Sequence, residues 1–378
     1  MPSDLNPKSS SGSSGLGAGF VAPEQIGKLV PPPEPPSVKL IVRLFVIPLL
    51  IVVAIGAVVI PVGMLAGNRK SLDAALRGLQ NPGGERTGGI LVGPAAKERY
   101  LDAKTIVDHL HDTNLSPPER IKLGNQLVDI LNQWSSYKEG DVQHALLFAL
   151  SLTYMHRSDP AKPGQYLADT DATTTQDAFD QGQKKAMDCL LQFAEHENTR
   201  VRKAALLSLS YWKGREEAER AIPVLIAKLQ KPGEDLDVKM SAATALGPIG
   251  NANDKHVTEA LGEAMRNTDP HEAELVWDAA VSLAQLNRPE STDIMLRLLS
   301  RNDLNEMMVY DRETDPSNPI MRKLNDLEKE RFIINALIAA QFLKVDAVQQ
   351  AMEKVAKDDP SDRVKQAAAE VLGQMKKK

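Results

Sequence analysis

Three stretches of the chain repeat one hydrophobic pattern at a fixed step. They begin at Val201, Val238 and Leu275, with 37 residues between each start and the next. Within each, an apolar residue is followed four positions on by alanine (Ala205, Ala242, Ala279) and eight on by leucine (Leu209, Leu246, Leu283). Spacings of four and eight put all three on one helical face. The central alanine leaves room for a neighbouring helix to come close. A second amphipathic segment follows each stretch, at Ala218–Gln230, Val257–Arg266 and Thr292–Ser300. Two helices in such a unit form a hairpin that cannot bury its apolar face alone and must stack on its neighbours. The pattern therefore predicts an all-α fold, an α-solenoid of about six helical hairpins. Both 103–156, where Val142, Leu146 and Leu150 repeat the spacing, and 332–372 carry weaker copies.

The rest of the chain breaks this periodicity in recognisable ways. Residues 1–38 are rich in Ser, Gly and Pro, including the run Pro31-Pro32-Pro33-Glu34-Pro35-Pro36. Such a composition cannot bury enough apolar surface to fold, so a disordered tail is expected, with the prolines as a stiff spacer. Leu44–Gly67 is 24 residues without a charge. As a helix it would reach about 36 Å, enough to cross about 30 Å of hydrocarbon. A transmembrane helix is expected within residues 39–67, single-pass, with the lipid bilayer as its partner. The preceding tail is too long for a cleaved signal peptide. Residues 68–102, with Asn81-Pro82-Gly83-Gly84 and Gly88-Gly89, predict a flexible linker. The solenoid is then expected over 103–378, with polar insertions near 157–178 and 302–323. Ser116 before Pro117 and Pro118 marks one helix start.

The repeat phrase resembles a known one. Asp235, Asp237, Val238, Lys239, Ala242, Leu246 and Gly247 follow the pattern of the HEAT repeat, including the variant shared with phycobilisome-lyase-type proteins. Asp362, Val364, Lys365, Ala368, Leu372 and Gly373 follow it too, and Pro223 sits where such repeats kink their first helix. Leu275-Val276 departs from the pattern by lacking the basic residue, and Trp212 by replacing a small one. The resemblance covers about residues 180–378 and implies a fold more than a function. The array together with the expected span reads as a membrane-anchored scaffold for protein–protein interaction. The alternative, implied by the resemblance, is an accessory lyase- or isomerase-like factor.

Charge narrows the partners. The net charge of −5 falls mostly on residues 68–378, which argues against a nucleic-acid binder. Lysines and arginines flank the apolar span evenly, so the positive-inside rule gives a tie. The expected arrangement is that of an uncleaved signal anchor, with the tail cytoplasmic and the solenoid on the far side. Cys189, the single cysteine, lies among apolar residues and is expected to be a buried, inert thiol.

Candidate chemistry is sparse. Asp108-His109-Leu110-His111-Asp112 holds ligand types, but His109 and His111 point to different sides of a helix. Asp169, Asp171, Thr173, Asp177 and Asp180 keep calcium-loop spacing, yet Thr174 replaces the required glycine and Asp180 is shorter than the usual Glu. Neither is expected to bind metal. No catalytic motif is present, so neither an enzyme nor a cofactor nor a small-molecule substrate is expected. The candidate partner-binding residues are Lys203, Met240 and Trp277, each two positions after the leading apolar residue of its repeat. Stacking would align them in a row facing a protein partner, unless they pack between the layers instead.

Overall fold

In the computed structural model the described residues are 70–80, 86–87, 90–91, 94–112, 115–135, 139–155, 168–171, 174–311 and 320–376. The expected tail and the expected span Leu44–Gly67 lie outside them. Among the described residues no helix is long and apolar enough to cross a membrane.

Among the described residues fifteen α-helices make seven consecutive pairs, one more than the pattern predicts. The pairs are α1 (Leu72–Gln80) with α2 (Pro94–Asp112), α3 (Pro117–Trp134) with α4 (Gly140–Tyr154), and α5 (Gln176–Ala194) with α6 (Thr199–Leu209). Then come α7 (Ile222–Gln230) with α8 (Leu236–Ile249), and α9 (Lys255–Met265) with α10 (Ala273–Gln285). The sixth pair interposes the short α12 (Arg301–Glu306) and a β-hairpin between α11 (Thr292–Leu298) and α13 (Asp326–Ala340). Helices α14 (Asp346–Asp358) and α15 (Asp362–Met375) close the array. Second helices touch second helices in one inner row, α2–α4–α6–α8–α10–α13–α15, and the first helices stack along the other side.

Local chemistry starts these helices where the repeat phrase places an Asp or Asn. The side chains of Asn198, Asp235 and Asp269 each accept a backbone N–H two residues on, at 2.9 Å. This satisfies donors that a helix start leaves open. At α3, Glu119 Oε2 accepts from Ser116 N and Oγ at 2.9 and 2.6 Å, and Pro117 takes the first turn. Pro223 sits in the first turn of α7, where a 3-10 segment (Glu216–Ala221) gives way to α-helix, the expected kink.

The layers are then stapled by ion pairs between successive repeats. Arg202 meets Glu234 at 2.8 Å, and the equivalent Lys239 meets Glu272 at 2.9 Å. On the other row, Lys228 reaches back to Glu195 at 2.6 Å. Burial favours the neutral form of Glu234, but the Asp235 N–H, Arg202 and Lys231 hold its carboxyl down to about 2. The ladder stops at α10, where Val276 stands in place of the base and packs against apolar neighbours. There the core divides. Leu275, Ala279 and Leu283 of α10 belong to the apolar cluster of the earlier repeats, while Trp277 and Ala284 belong to that of the later ones.

The expected flexible linker at 68–102 is corrected: it contains α1 and the first half of α2. Ala75, Leu76 and Leu79 of α1 are buried, and Trp134 Nε1 donates to Leu79 O at 3.1 Å. The Gly and Pro signals fall between two helices and do not mark a tether. The array thus starts near residue 71, not 103. The insertion near 302–323 carries structure of its own. Its strands β1 (Met308–Asp311) and β2 (Ile320–Lys323) pair antiparallel, Met308 opposite Lys323. Tyr310 sets the hairpin edge-on against His271, with ring centroids 5.4 Å apart, at the entrance to α10.

Ala205, Ala242 and Ala279 are all fully buried. Replacing Ala242 by Leu should therefore lower stability by about 1–3 kcal/mol. A urea denaturation midpoint that stays in place would show that the site tolerates the added volume.

Candidate functional site

Lys203, Met240 and Trp277 do lie on successive inner helices, but they face the next layer more than solvent. Lys203 Nζ bridges to Asp237 at 2.9 Å. Met240 is half-buried against the core. Trp277 is buried, edge-to-face with Phe332 of α13 at 5.1 Å and 86°. Of the two readings of this row, packing between the layers holds for Trp277, because α13 closes over it.

The acidic loop at Asp169 has a different job from the one its spacing suggested. Arg120 on α3 and Arg215, beyond α6, both reach Asp169. Arg120 Nη1 donates to Oδ1 at 3.0 Å, Arg215 Nη2 donates to the same oxygen at 3.0 Å, and Arg215 Nη1 donates to Oδ2. Arg120 also donates to Thr153 O and Met155 O, at 2.8 and 3.3 Å. Both guanidinium groups lie over the ring of Phe179, 4.8 and 5.6 Å from its centroid. Burial alone would raise the Asp169 carboxyl; the Arg215 hydrogen bonds and the two positive charges outweigh it and hold the group below its ordinary value. Asp169 is therefore a latch tying the insertion to the second and third pairs. The latch was legible in part. Arg120 lies three and seven positions before Leu123 and Leu127, on the apolar stripe of α3, and an arginine there demands a carboxylate.

The Asp108–Asp112 cluster does not close on itself either. Asp108 faces Lys104 at 3.4 Å, and His111 lies 6.0 Å from the ring of Phe148 on α4. Among the described residues no three His, Cys, Asp or Glu side chains come together as a metal site would need. Cys189 is buried, and burial pushes its thiol up to about 12.

What the structure does bring together is a surface on the inner row. Tyr100, Val107, Asp108, Asp141, His144 and Phe148 line a groove of about 500 Å³ between α2 and α4. Phe148 continues it, packing edge-to-face at 5.1 Å on Tyr211, which is 40% exposed just past α6. His144 is open to solvent, yet desolvation lowers its pKa, with the nearby Asp141 opposing and Lys203 and Arg200 assisting. A residue both wet and crowded sits in a hollow.

Further along, Glu274 and Asp278 lie one turn apart on α10. Burial, then the charge of Glu274, push Asp278 up to about 7, although Arg331 and Lys203 pull it down. Burial also raises Glu274, against the pull of Arg331 at 3.8 Å. The inner row is curled as well. Lys213, past α6, places Nζ 4.9 Å from the ring centroid of Phe342, past α13. Two helices separate α6 from α13, which a straight row would set about 27 Å apart. The ends after the inner helices therefore converge.

The chain matches no family model and no curated protein. Among solved structures it is similar to human deoxyhypusine hydroxylase in complex with glycerol, at 14% identity and a TM-score of 0.30, over 84% of this chain and 100% of that one. That likeness is too slight to carry an argument about fold or activity.

Two outcomes follow from the charges. Asp169→Ala leaves two buried arginines without their carboxylate and should cost about 3–5 kcal/mol in chemical denaturation; a loss within error would mean the insertion is not held there. Asp278 favours its protonated form when folded, so its contribution is present at low pH and is lost as pH rises from about 4 through about 7. Asp278→Asn should therefore raise the melting temperature at about pH 8 and change it little at about pH 4. Equal shifts at both pH values would place Asp278 in ordinary solvent.

Proposed function

We propose that this chain is a membrane-tethered helical-repeat scaffold of the HEAT kind, which holds a partner protein on the inner row of its array. The observation that carries this reading is the aromatic shelf of Phe148 and Tyr211 beside the groove between α2 and α4. A tyrosine left 40% exposed beside a half-covered phenylalanine is apolar area that folding has not used. Rigid aromatic side chains of this kind anchor protein interfaces. The curl of the row turns the shelf inward, where a bound segment would be contacted from several repeats. The tether in this reading is the uncharged span Leu44–Gly67, and the solenoid lies across the bilayer from the tail.

The experiment is photo-crosslinking in cells, with benzoylphenylalanine in place of Tyr211 or of Glu259, which is exposed on α9 in the other row. A discrete protein adduct at position 211 and none at 259 is expected. Adducts equal at both, or none at 211, would remove the inner surface from the proposal.

A further inference from the structure

The groove between α2 and α4 has its acceptors engaged and its donors open. Of the carboxylates that line it, Asp108 is met by Lys104 at 3.4 Å and Asp141 by Arg200 at 2.9 Å. Among the described residues no hydrogen bond reaches the hydroxyl of Tyr100 or Tyr211, or the ring of His144. All three side chains are exposed. Two phenol hydroxyls and an imidazole N–H are thus left to donate. A ligand here finds donors and few acceptors.

Aromatic rings stand toward both ends of the groove. Tyr100 lies in the second turn of α2, and His111, further along the same helix, lies 6.0 Å from Phe148. Tyr211 packs on that same Phe148. The helix rises about 16 Å from Tyr100 to His111. Between the two ends, Val107 and Ala145 share the lining with Lys104 and His144.

These features select among the segments that could lie there. A helix bonds its own carbonyls and would leave the three donors unused. It also docks through an unbroken apolar stripe, which this lining lacks. An extended segment of ordinary residues brings one backbone N–H for each carbonyl, and the acids that would accept those N–H groups are engaged. A proline run brings carbonyls and no N–H. In polyproline II geometry the carbonyls have no internal partner, and such a run docks in aromatic-lined grooves. At about 3.1 Å per residue, some five residues cover the distance between the aromatic ends.

We infer that the partner held on the inner row presents a proline-rich segment, extended along the groove between α2 and α4 from Tyr100 toward Tyr211. This rests on the scaffold reading and supplies the chemistry of the partner, which that reading leaves open.

The test titrates the full chain, in lipid nanodiscs, against fluorescein-labelled hexaproline, triproline and an amphipathic helix of leucine and lysine, read by anisotropy. Hexaproline should saturate, and bind several-fold more tightly than triproline, which is too short to meet both ends. Tyr211→Ala should weaken hexaproline several-fold. Tyr100→Phe keeps the ring and removes only the hydroxyl, and should weaken it too. Glu259→Ala, on the other row, should leave it unchanged. Failure of hexaproline to saturate, equal affinity for the two proline lengths, or tighter binding of the helix overturns the proline assignment. Unchanged affinity in both tyrosine variants overturns it as well. The surface itself stands or falls separately, with the adduct at position 211.

Discussion

Close approach of each inner helix to the next is the constraint on which the rest of the molecule depends. A lone hairpin exposes its apolar face, so the array exists only because the layers can touch. The buried alanines at 205, 242 and 279 remove the bulk that would hold them apart. Gly247 shows how tight the contact is. A β-carbon there would lie 3.0 Å from the Ser282 backbone and closer still to the Gln285 side chain. Ser282 Oγ uses this proximity to donate to Ala243 O at 2.8 Å, which joins α8 to α10 by a hydrogen bond as well as by contact.

Once the helices are this close, the charges between them have few places to go. The base after the leading valine finds its carboxylate in the acid before the next inner helix. Arg202 and Lys239 do so, with Glu234 and Glu272 as their partners. At α10 the next inner helix does not arrive after one unit, because α12 and the β-hairpin intervene. A base at 276 would face the apolar cluster of the later repeats with no acid in the equivalent place. Val276 fits there instead. The departure from the repeat phrase and the interruption of the array are thus one event. Arg322 then fixes the far end of the hairpin, donating through two nitrogens to Glu328 at 2.7 and 2.6 Å.

The helical architecture was legible because it is written in spacing, and spacing survives substitution. Val238, Ala242 and Leu246 predict a buried helical face without any knowledge of what covers it, and all three are fully buried. Helix α1 was not legible because it is short and followed by Asn81-Pro82-Gly83-Gly84, which reads as a break. Its burial is decided by Trp134, 55 residues away. The repeat leaves Trp277 open between a surface row and packing between layers for a similar reason. Its position in the repeat does not say which, and it is α13, arriving after an insertion, that covers it. The Asp169 loop shows the same limit from the side of chemistry. Carboxylate spacing describes ligands within a loop, but two arginines from distant pairs bind first. Local pattern therefore served for the repeating part and failed wherever a non-repeating contact decided the outcome.

The candidate surface belongs to this second class. Phe148 and His144 come from one pair and Tyr211 from the next, at no repeated spacing, and the stacking of α4 on α6 sets Tyr211 against Phe148 beside the groove. The curl of the row is recorded where Lys213 meets Phe342 across two intervening helices. The same geometry accounts for the ionisable groups along the row. His144 and Asp278 are not sealed from water, yet both are displaced toward their neutral forms. Each has exchanged part of its water for protein, which lowers the pKa of the imidazole and raises that of the carboxyl. A segment entering the hollow would displace what water remains. It would thereby favour the neutral forms further, unless it brought charges of its own to meet them. Shape and charge together thus set the terms for any ligand of this row: apolar toward Phe148 and Tyr211, and able to neutralise or pair the acids near α10.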